Sequence, residues 1–410
     1  MSTFLLIGKS FSRLRNYLDE HNHTYIVLLD EKLATGYESK QTILCNFSTI
    51  KSINKTAKEI KMLYHVDGVI ATYESYVLPA AYIAKAIGLP ALPIKAAQAC
   101  TDKELMRKKF AKATEKISPD FCQINNKDDL IKFAHTHSFP LILKPANLSK
   151  SLLVTKANNE QELLSQYNQT ISKIKAVYDK YAPHRTPKLL IEEFIEGHIY
   201  SVDAFVDHLG TVHVLEAVVD YETGQELGYN DNFHYSRLLP SNLDKKDIMA
   251  IRHTAKIGCE ALGIKNSPAH IEIILSQEGP RIVEIGARTG GYRERMHELA
   301  NGIDITDNTL SIALGKQPDI HILRNDPCVV IELFPKHNGI FQSISNEKFL
   351  EKLPSLAYYS LKSKPGQFVG KSADGHKACA IIMLHNKNKT IFNKDYLYVK
   401  NSVHVITENI

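Results

Sequence analysis

The sequence predicts a mixed α/β and α+β fold, and three observations carry that expectation. Short apolar runs alternate with helical stretches through the first hundred or so residues, the pattern of a parallel sheet covered on both faces. Beyond about residue 100 the strands come as neighbouring pairs between longer helices, as in "YSVDAFVD" and "VHVLEAVVD". At 410 residues the chain is also too long for one small core, so two or three domains are expected.

In the first unit "TFLLIG", "TYIVLLD" and "DGVIATYE" read as strands, while "SFSRLRNYLDEHN" and "KSINKTAKEIKML" read as helices. "YVLPAAYIAKAIGLP" is a further helix, ended by Gly88 and Pro90. A new unit opens at "CTDKELMRKKFAKA", where Thr101 and Glu104 have the spacing of a capping box. The strand "PLILKPA", a helix over 158–181, the strand "KLLIEEFIEG" and the helix "DIMAIRHTAKIGCEALGI" follow. The last hundred residues read as short strands and turns, a small α+β region.

Composition excludes several classes. With 50 Lys and Arg against 45 Asp and Glu, the scattered charge gives no basic groove for nucleic acid. The six cysteines (45, 100, 122, 259, 328 and 379) form no C-x-x-C pair, which suits a reducing compartment. "MSTFLLIGKSF" lacks the pattern of a signal peptide, and no apolar run is long enough to span a membrane. These features predict a cytoplasmic protein with no membrane partner. The GKS triplets at 8–10 and 370–372 lack the earlier glycine of a P-loop, and His135 and His137 read as a polar helix end.

The chemistry concentrates in "HIEIILSQEGPRIVEIGARTGG", residues 270–291. Turn residues between the two apolar runs predict a hairpin, with an odd-length loop centred on Glu278 that pairs Leu275 with Arg281. In that register Glu272 faces Glu284, both on one sheet face beside His270, Ile274 and Ile282. Two opposed carboxylates repel each other, and a hard divalent cation that also binds phosphate oxygens removes the cost. Arg288, in irregular backbone before Gly290 and Gly291, adds a fork for phosphate or carboxylate. Lys144, at the end of an apolar strand, is the other anomaly; taken singly, it reads as a lysine that snorkels outward.

Five motifs occur in one order: TDK at 101, LILKP at 141, IEEFIEG at 191, HIEI at 270 and VEIGAR at 283. The set resembles the ATP-grasp superfamily, and the E-I-G-A-R-x-G-G form is similar to its ATP-dependent carboxylate–amine ligases, most of all the L-amino-acid (dipeptide) ligases. The resemblance implies an ATP-grasp fold with a Rossmann-like pre-ATP-grasp domain at 1–97. The ATP-grasp domain would cover 98–310, with a smaller lid subdomain at 118–196, and the α+β region 311–410. It implies ATP and Mg²⁺ as cofactors, with Mn²⁺ as a substitute, small-molecule carboxylate and amine substrates, and a layout compatible with a homodimer.

Position by position, the resemblance gives Lys103 and Lys144 to the nucleotide phosphates, with Lys144 and Arg288 as catalytic residues. Ser149, Lys150 and Ser151 would contact phosphate, and Glu193, Phe194, Ile195 and Glu196 the adenosine. Glu272 and Glu284 match the metal ligands. Two departures stand out: the loop "ANLSKSLLV" after Lys144 has no glycine, and Ile199 replaces the usual ribose-binding glutamate. Gly286 also stands where many relatives carry an asparagine. His234, Tyr235, His270, Tyr292, Arg293 and Arg295 are the candidate substrate residues, since they flank the hairpin or the segment expected to cover it. The expected function is amide or peptide bond formation through an acyl phosphate, with release of ADP. The alternatives are a purine-pathway or bicarbonate-using member, and a nucleotide-binding regulator without turnover.

Overall fold

The structure, a computed structural model, describes residues 1–9, 12–36, 41–148, 152–182 and 185–408. At the N-terminus four parallel strands run in the order Thr42–Cys45, Thr24–Asp30, Thr3–Ile7, Gly68–Ala71. The first of these, "TILC", is a strand that the sequence pattern did not reveal. Leu5, Ile7, Ile26 and Leu28 pack under the helix Ile50–Leu63, each nearly or wholly shut off from solvent. The helix Glu74–Ile87 ends at Gly88, whose φ of 91° reverses the chain as glycine alone does freely. Its N-terminus lies just beyond the carboxyl end of Gly68–Ala71, where α/β sheets present ligand-binding loops.

A second sheet, antiparallel, joins Phe121–Ile124, Leu189–Glu193, Leu141–Pro145 and Thr155–Ala157 in that order. The 22-residue helix Glu160–Tyr181 covers it, capped by the Asn159 side chain. The helix Lys103–Phe110 that leads into this unit is not started by the expected Thr101–Glu104 box. Asp102 caps it instead, accepting from the amides of Glu104 and Leu105, while the Thr101 hydroxyl bonds the carbonyl of Ala97. Asp102 is one residue nearer the first turn, and that position decides which side chain reaches the free amides.

The central element is a nine-stranded sheet. Its order is Gly279–Gly286, Ser267–Ser276, His198–Val206, Val219–Thr223, His234–Leu239, Cys328–Leu333, Ala380–His385, Leu356–Leu361, with Val212–Val214 beside His198–Val206. Three strands of residues 311–410 extend this sheet, while Gly339–Ile344, Phe368–Val369 and Val405–Glu408 form a separate one. On one face Tyr200, Val202, Ala204 and Val206 pack with Ile251, Ala255, Cys259 and Leu262 of the helix Lys245–Leu262. Burying each such large aliphatic side chain contributes roughly 1.5–3 kcal/mol. The other face carries the polar side chains of the site.

Candidate active site

The hairpin turns more tightly than the sequence reading expects. Ser276 pairs with Gly279, and the ladder continues through Leu275–Pro280, Ile274–Arg281 and Ile273–Ile282. Val283 is then an extra residue, and the register resumes at Glu272–Glu284. This bulge sends Ile282 to the core face with Ile271, Ile273 and Ile285, not to the carboxylate face. The Val283 carbonyl, freed from the ladder, accepts from Arg107 Nη2 at 2.9 Å. Glu272 and Glu284 still stand directly opposite each other.

Cations surround this pair. Lys103 Nζ lies 2.8 Å from Glu284 Oε2 and 3.2 Å from the Leu148 carbonyl. Its ammonium is held above its ordinary pKa: burial opposes the charge, but Glu284 and Glu74 outweigh it. Lys144 does not snorkel outward. It is buried, 2.6 Å from Glu192 Oε2, and burial lowers its pKa to about 8. Glu192 also takes both Arg107 Nε at 3.0 Å and Nη2 at 3.2 Å, so Arg107 ties the second, four-stranded sheet to the bulge. Arg288 Nη2 lies 3.6 Å from Glu74 Oε2, and its Nη1 donates to the Thr289 carbonyl. Burial and then the charge of Glu284 raise the Glu74 pKa.

Beneath Glu272 lies a buried network. Asp203 Oδ1 accepts from His270 Nδ1 at 2.8 Å, while its Oδ2 faces Arg293 Nε at 3.2 Å and His297 Nε2 at 3.4 Å. Against the cost of burial, His270, His297 and Arg293 hold the Asp203 carboxyl well below the usual range. The other nitrogen of His270 is 3.7 Å from Glu272 Oε1. Burial likewise pushes the Glu272 pKa up, but the nearby His270 imidazole and the charges of His234 and Arg288 hold it low. A Cβ on Gly290 would sit 2.5 Å from His270 Nδ1, so only glycine lets the Arg288 loop close over the imidazole.

The residues expected at the adenosine, Glu193 to Glu196, lie where the second sheet passes into the central sheet. Glu193 closes its strand, with Oε2 3.3 Å from Lys116 Nζ; Lys156 Nζ lies over the Phe194 ring at 3.8 Å; Ile195 is half-buried and Glu196 exposed. A Cβ at Gly197 would collide with the Leu275 carbonyl at 2.3 Å, so this connector lies tight against the hairpin. Ile199 packs with Tyr221 and Met296. Ser149, Lys150 and Ser151 lie outside the described residues.

The substrate candidates divide. His234 stacks at a tilt on Tyr221 and lies within the field of Glu272; burial lowers its pKa to about 4. Tyr292 donates to Glu332 Oε1 at 2.7 Å. Three others are engaged within the protein itself. Tyr235 belongs to the core of the C-terminal region with Phe233 and Phe334: it is the extra residue of a bulge, since Glu222 pairs with Ser236 and Thr223 with His234, and the bulge turns it away from the face of His234. Arg293 is 1% exposed and already spent on Asp203, Ser201 Oγ and Tyr221. Arg295 reaches away to the Ala357 carbonyl and the Tyr358 ring. Sequence reading missed Glu74, Arg107, Glu192, Arg237 and Glu332; of these, Glu74 had a signal, its place at a strand-to-helix junction of a parallel sheet.

Among the described residues no cluster of three or more His, Cys, Asp or Glu side chains could hold a metal ion. Two opposed carboxylates within reach of lysine and arginine suit Mg²⁺ arriving with phosphate oxygens, since Mg²⁺ takes one or two carboxylates and completes its shell from phosphate and water. The donor set therefore fits a metal–nucleotide and not a bare ion. No helix among the described residues is long and apolar enough to cross a membrane.

Residues 137–295 match the ATP-grasp domain. The chain is similar to alanine–anticapsin ligase of Bacillus subtilis strain 168, 23% identical over 313 residues, covering 72% of this chain and 66% of that protein. Two further alanine–anticapsin ligases, of Bacillus subtilis and Bacillus amyloliquefaciens, match over 61% of their length, so the chain spans about two thirds or less of these relatives. Among solved structures, an L-amino acid ligase from Bacillus licheniformis superposes with a TM-score of 0.82 at 18% identity, covering 100% of this chain and 99% of that one. Phosphoribosylglycinamide synthetase from Anaerococcus prevotii superposes with a TM-score of 0.72 at 18% identity, covering 99% and 100%. The shared fold is the ATP-grasp fold.

Proposed function

From the premise that this chain carries an ATP-grasp domain within an ATP-grasp fold, we propose that it is an ATP-dependent carboxylate–amine ligase, joining amino acids or related small metabolites. The observation that carries the proposal is the cross-strand pair Glu272–Glu284, with Lys103, Lys144 and Arg288 close by. The similarity to alanine–anticapsin ligase supports the same class.

Mg²⁺ bound with ATP would neutralise charge on the outer phosphates, which is the chemistry the two glutamates serve. Lys103 and Lys144 bind phosphate oxygens and hold them still, and Arg288, kept in place by Glu74, meets the charge that develops on the transferred group. The substrate carboxylate attacks the terminal phosphorus, the bond to the bridging oxygen breaks, and ADP leaves. The amine nitrogen then attacks the acyl carbon; the carbon–oxygen bond breaks, and phosphate departs with a former carboxylate oxygen and the amine proton. Arg107 and Glu192 keep the lid sheet in register with the hairpin, so both halves of the nucleotide site move as one.

The test is ADP release with pooled and then paired amino acids. Release that depends on two amino acids supports the reading. Nucleotide binding without such release, or release stimulated only by bicarbonate, would contradict it.

A further inference from the structure

We propose that an open cleft at Arg252 is a second ligand site, which takes a small molecule bearing both a free carboxylate and a free ammonium and couples it to the nucleotide centre. Binding there does not depend on the ligase reading above.

The cleft has a volume of about 470 Å³, within the roughly 300–1,000 Å³ of small-molecule sites. It is lined by Arg252 of the helix Lys245–Leu262, by Glu216 just beyond the strand Val212–Val214, and by the segment 318–322. No lining residue belongs to the glutamate hairpin, the four-stranded sheet or the Arg288 loop. It is a separate place on the molecule.

Arg252 is a half-buried cation without a counter-charge. Its Nη2 donates to the Val214 carbonyl at 3.2 Å, while its Nε is shut off from solvent and meets no acceptor. Among the described residues no carboxylate pairs with it. The buried arginines 107 and 293, by contrast, each face a carboxylate at 3.0 and 3.2 Å. A guanidinium carries five N–H groups, so Arg252 retains donors for a ligand carboxylate.

The other lining residues set the rest of the ligand. Glu216 and Asp319 are exposed, and neither is paired with a lysine or arginine. An anion alone would meet these two acids, and a cation alone would meet Arg252, each at an electrostatic cost. A molecule with both charges satisfies both. No group of three metal-ligating side chains occurs among the described residues, so a metal ion does not fit. Ile320 and Ile322 offer an apolar surface to the remainder of the ligand.

Hydrogen bonds lead from the cleft to the buried network under Glu272. Next to Glu216, the Leu215 amide donates to the Asp203 carbonyl at 2.9 Å. Next to Ile322, the Leu323 amide donates to the Asn301 carbonyl at 2.9 Å; Asn301 Oδ1 is 3.0 Å from His297 Nδ1, and His297 Nε2 is 3.4 Å from Asp203 Oδ2. Ile320 and Ile322 also pack against Phe205 and Leu215. Two routes from the cleft thus converge on Asp203, which holds His270 beside Glu272. A ligand that shifts Glu216 or the segment 318–322 changes the support of the metal-binding carboxylate, and the coupling is reciprocal.

The test is calorimetric titration of the nucleotide-free protein with L-leucine and with the dipeptide L-alanyl-L-leucine. At least one should bind, and the tighter probe tells whether the site serves a free amino acid or a condensed product. Isocaproate and leucinamide, each lacking one charge, should bind about ten- to a hundredfold more weakly. Arg252→Gln should weaken the zwitterion by a similar factor and leave MgADP affinity unchanged. Asp319→Asn should weaken leucine but not isocaproate. The bound zwitterion should change MgADP affinity about five- to a hundredfold in wild type and not in Arg252→Gln. No binding of either probe to wild type, or unchanged binding in a folded Arg252→Gln, would overturn the proposal. If that variant does not fold, undiminished leucine binding by Asp319→Asn overturns it. Equal MgADP affinity with and without the zwitterion would overturn the coupling. None of these readouts uses turnover, so failure here leaves the ligase reading standing, and absence of ADP release leaves this site standing.

Discussion

Lys103 Nζ lies 2.8 Å from Glu284 Oε2, on the carboxylate that faces Glu272 across the hairpin. A metal held by the two glutamates would compete with that ammonium for the same carboxylate. Nucleotide binding would therefore hand Lys103 from Glu284 to the phosphates.

Lys103→Met should raise the Michaelis constant for ATP by about ten- to a hundredfold, one charge-assisted contact. It should also lower the thermal midpoint of the ligand-free protein, because Glu284 loses its counter-charge while Glu74 remains near. Steady-state kinetics and thermal unfolding read the two effects; an unchanged ATP response would remove Lys103 from the phosphate site.

Glu284→Gln should remove most Mg-dependent turnover with the fold retained. Two bare opposed glutamates would have made this substitution neutral or stabilising, but the ion pair reverses that expectation: a buried Lys103 is left unpaired, and stability should fall. Circular dichroism with calorimetry separates the two effects. Full activity at ordinary Mg²⁺ would refute the metal role.

Lys144 yields a pH prediction. With its pKa lowered to about 8 by burial, it is charged below that pH and neutral above it. The kcat/KM for ATP, which reports the free protein, should fall as pH rises through about 8. Lys144→Arg should flatten that limb, because the guanidinium stays charged. An unaltered limb in the arginine variant would assign it to another group.

Asp203→Asn should cost about 3–5 kcal/mol, since it strips the buried Arg293 and His270 of their counter-charge. Asp203 is held below its ordinary pKa. Its contribution is therefore complete above the unfolded carboxyl value of about 3.9, and it is lost as pH falls through the lower folded value. Denaturant unfolding at pH 7 measures the loss; a change within about 0.5 kcal/mol, typical of surface sites, would mean the network carries little.

Much of the site was legible because strand alternation and turn chemistry are local. The opposition of Glu272 and Glu284 follows from the hairpin alone, although by a different route: a tight turn plus a bulge reaches the same pairing as a longer loop. The bulge itself was hidden, because the Arg107 that meets its freed carbonyl lies 176 residues away in sequence. Glu192 and Asp203 were hidden for the same reason, since their partners come from other elements and a single strand gives no sign of them. Tyr235 was misplaced because a bulge, which no local pattern announces, makes it the extra residue between His234 and Ser236 and turns it to the opposite face. The C-terminal strands looked like a separate region because their pairing with His234–Leu239 spans roughly ninety residues of chain.

The most direct measurement of the central claim follows one oxygen atom. With the substrate carboxylate labelled with ¹⁸O, amide formation should place one labelled oxygen in inorganic phosphate, with ADP as the nucleotide product, if the cations and the glutamate pair serve the terminal phosphate as proposed. Label in AMP, with pyrophosphate released, would contradict the acyl-phosphate route and the roles given to Glu272, Glu284 and Arg288.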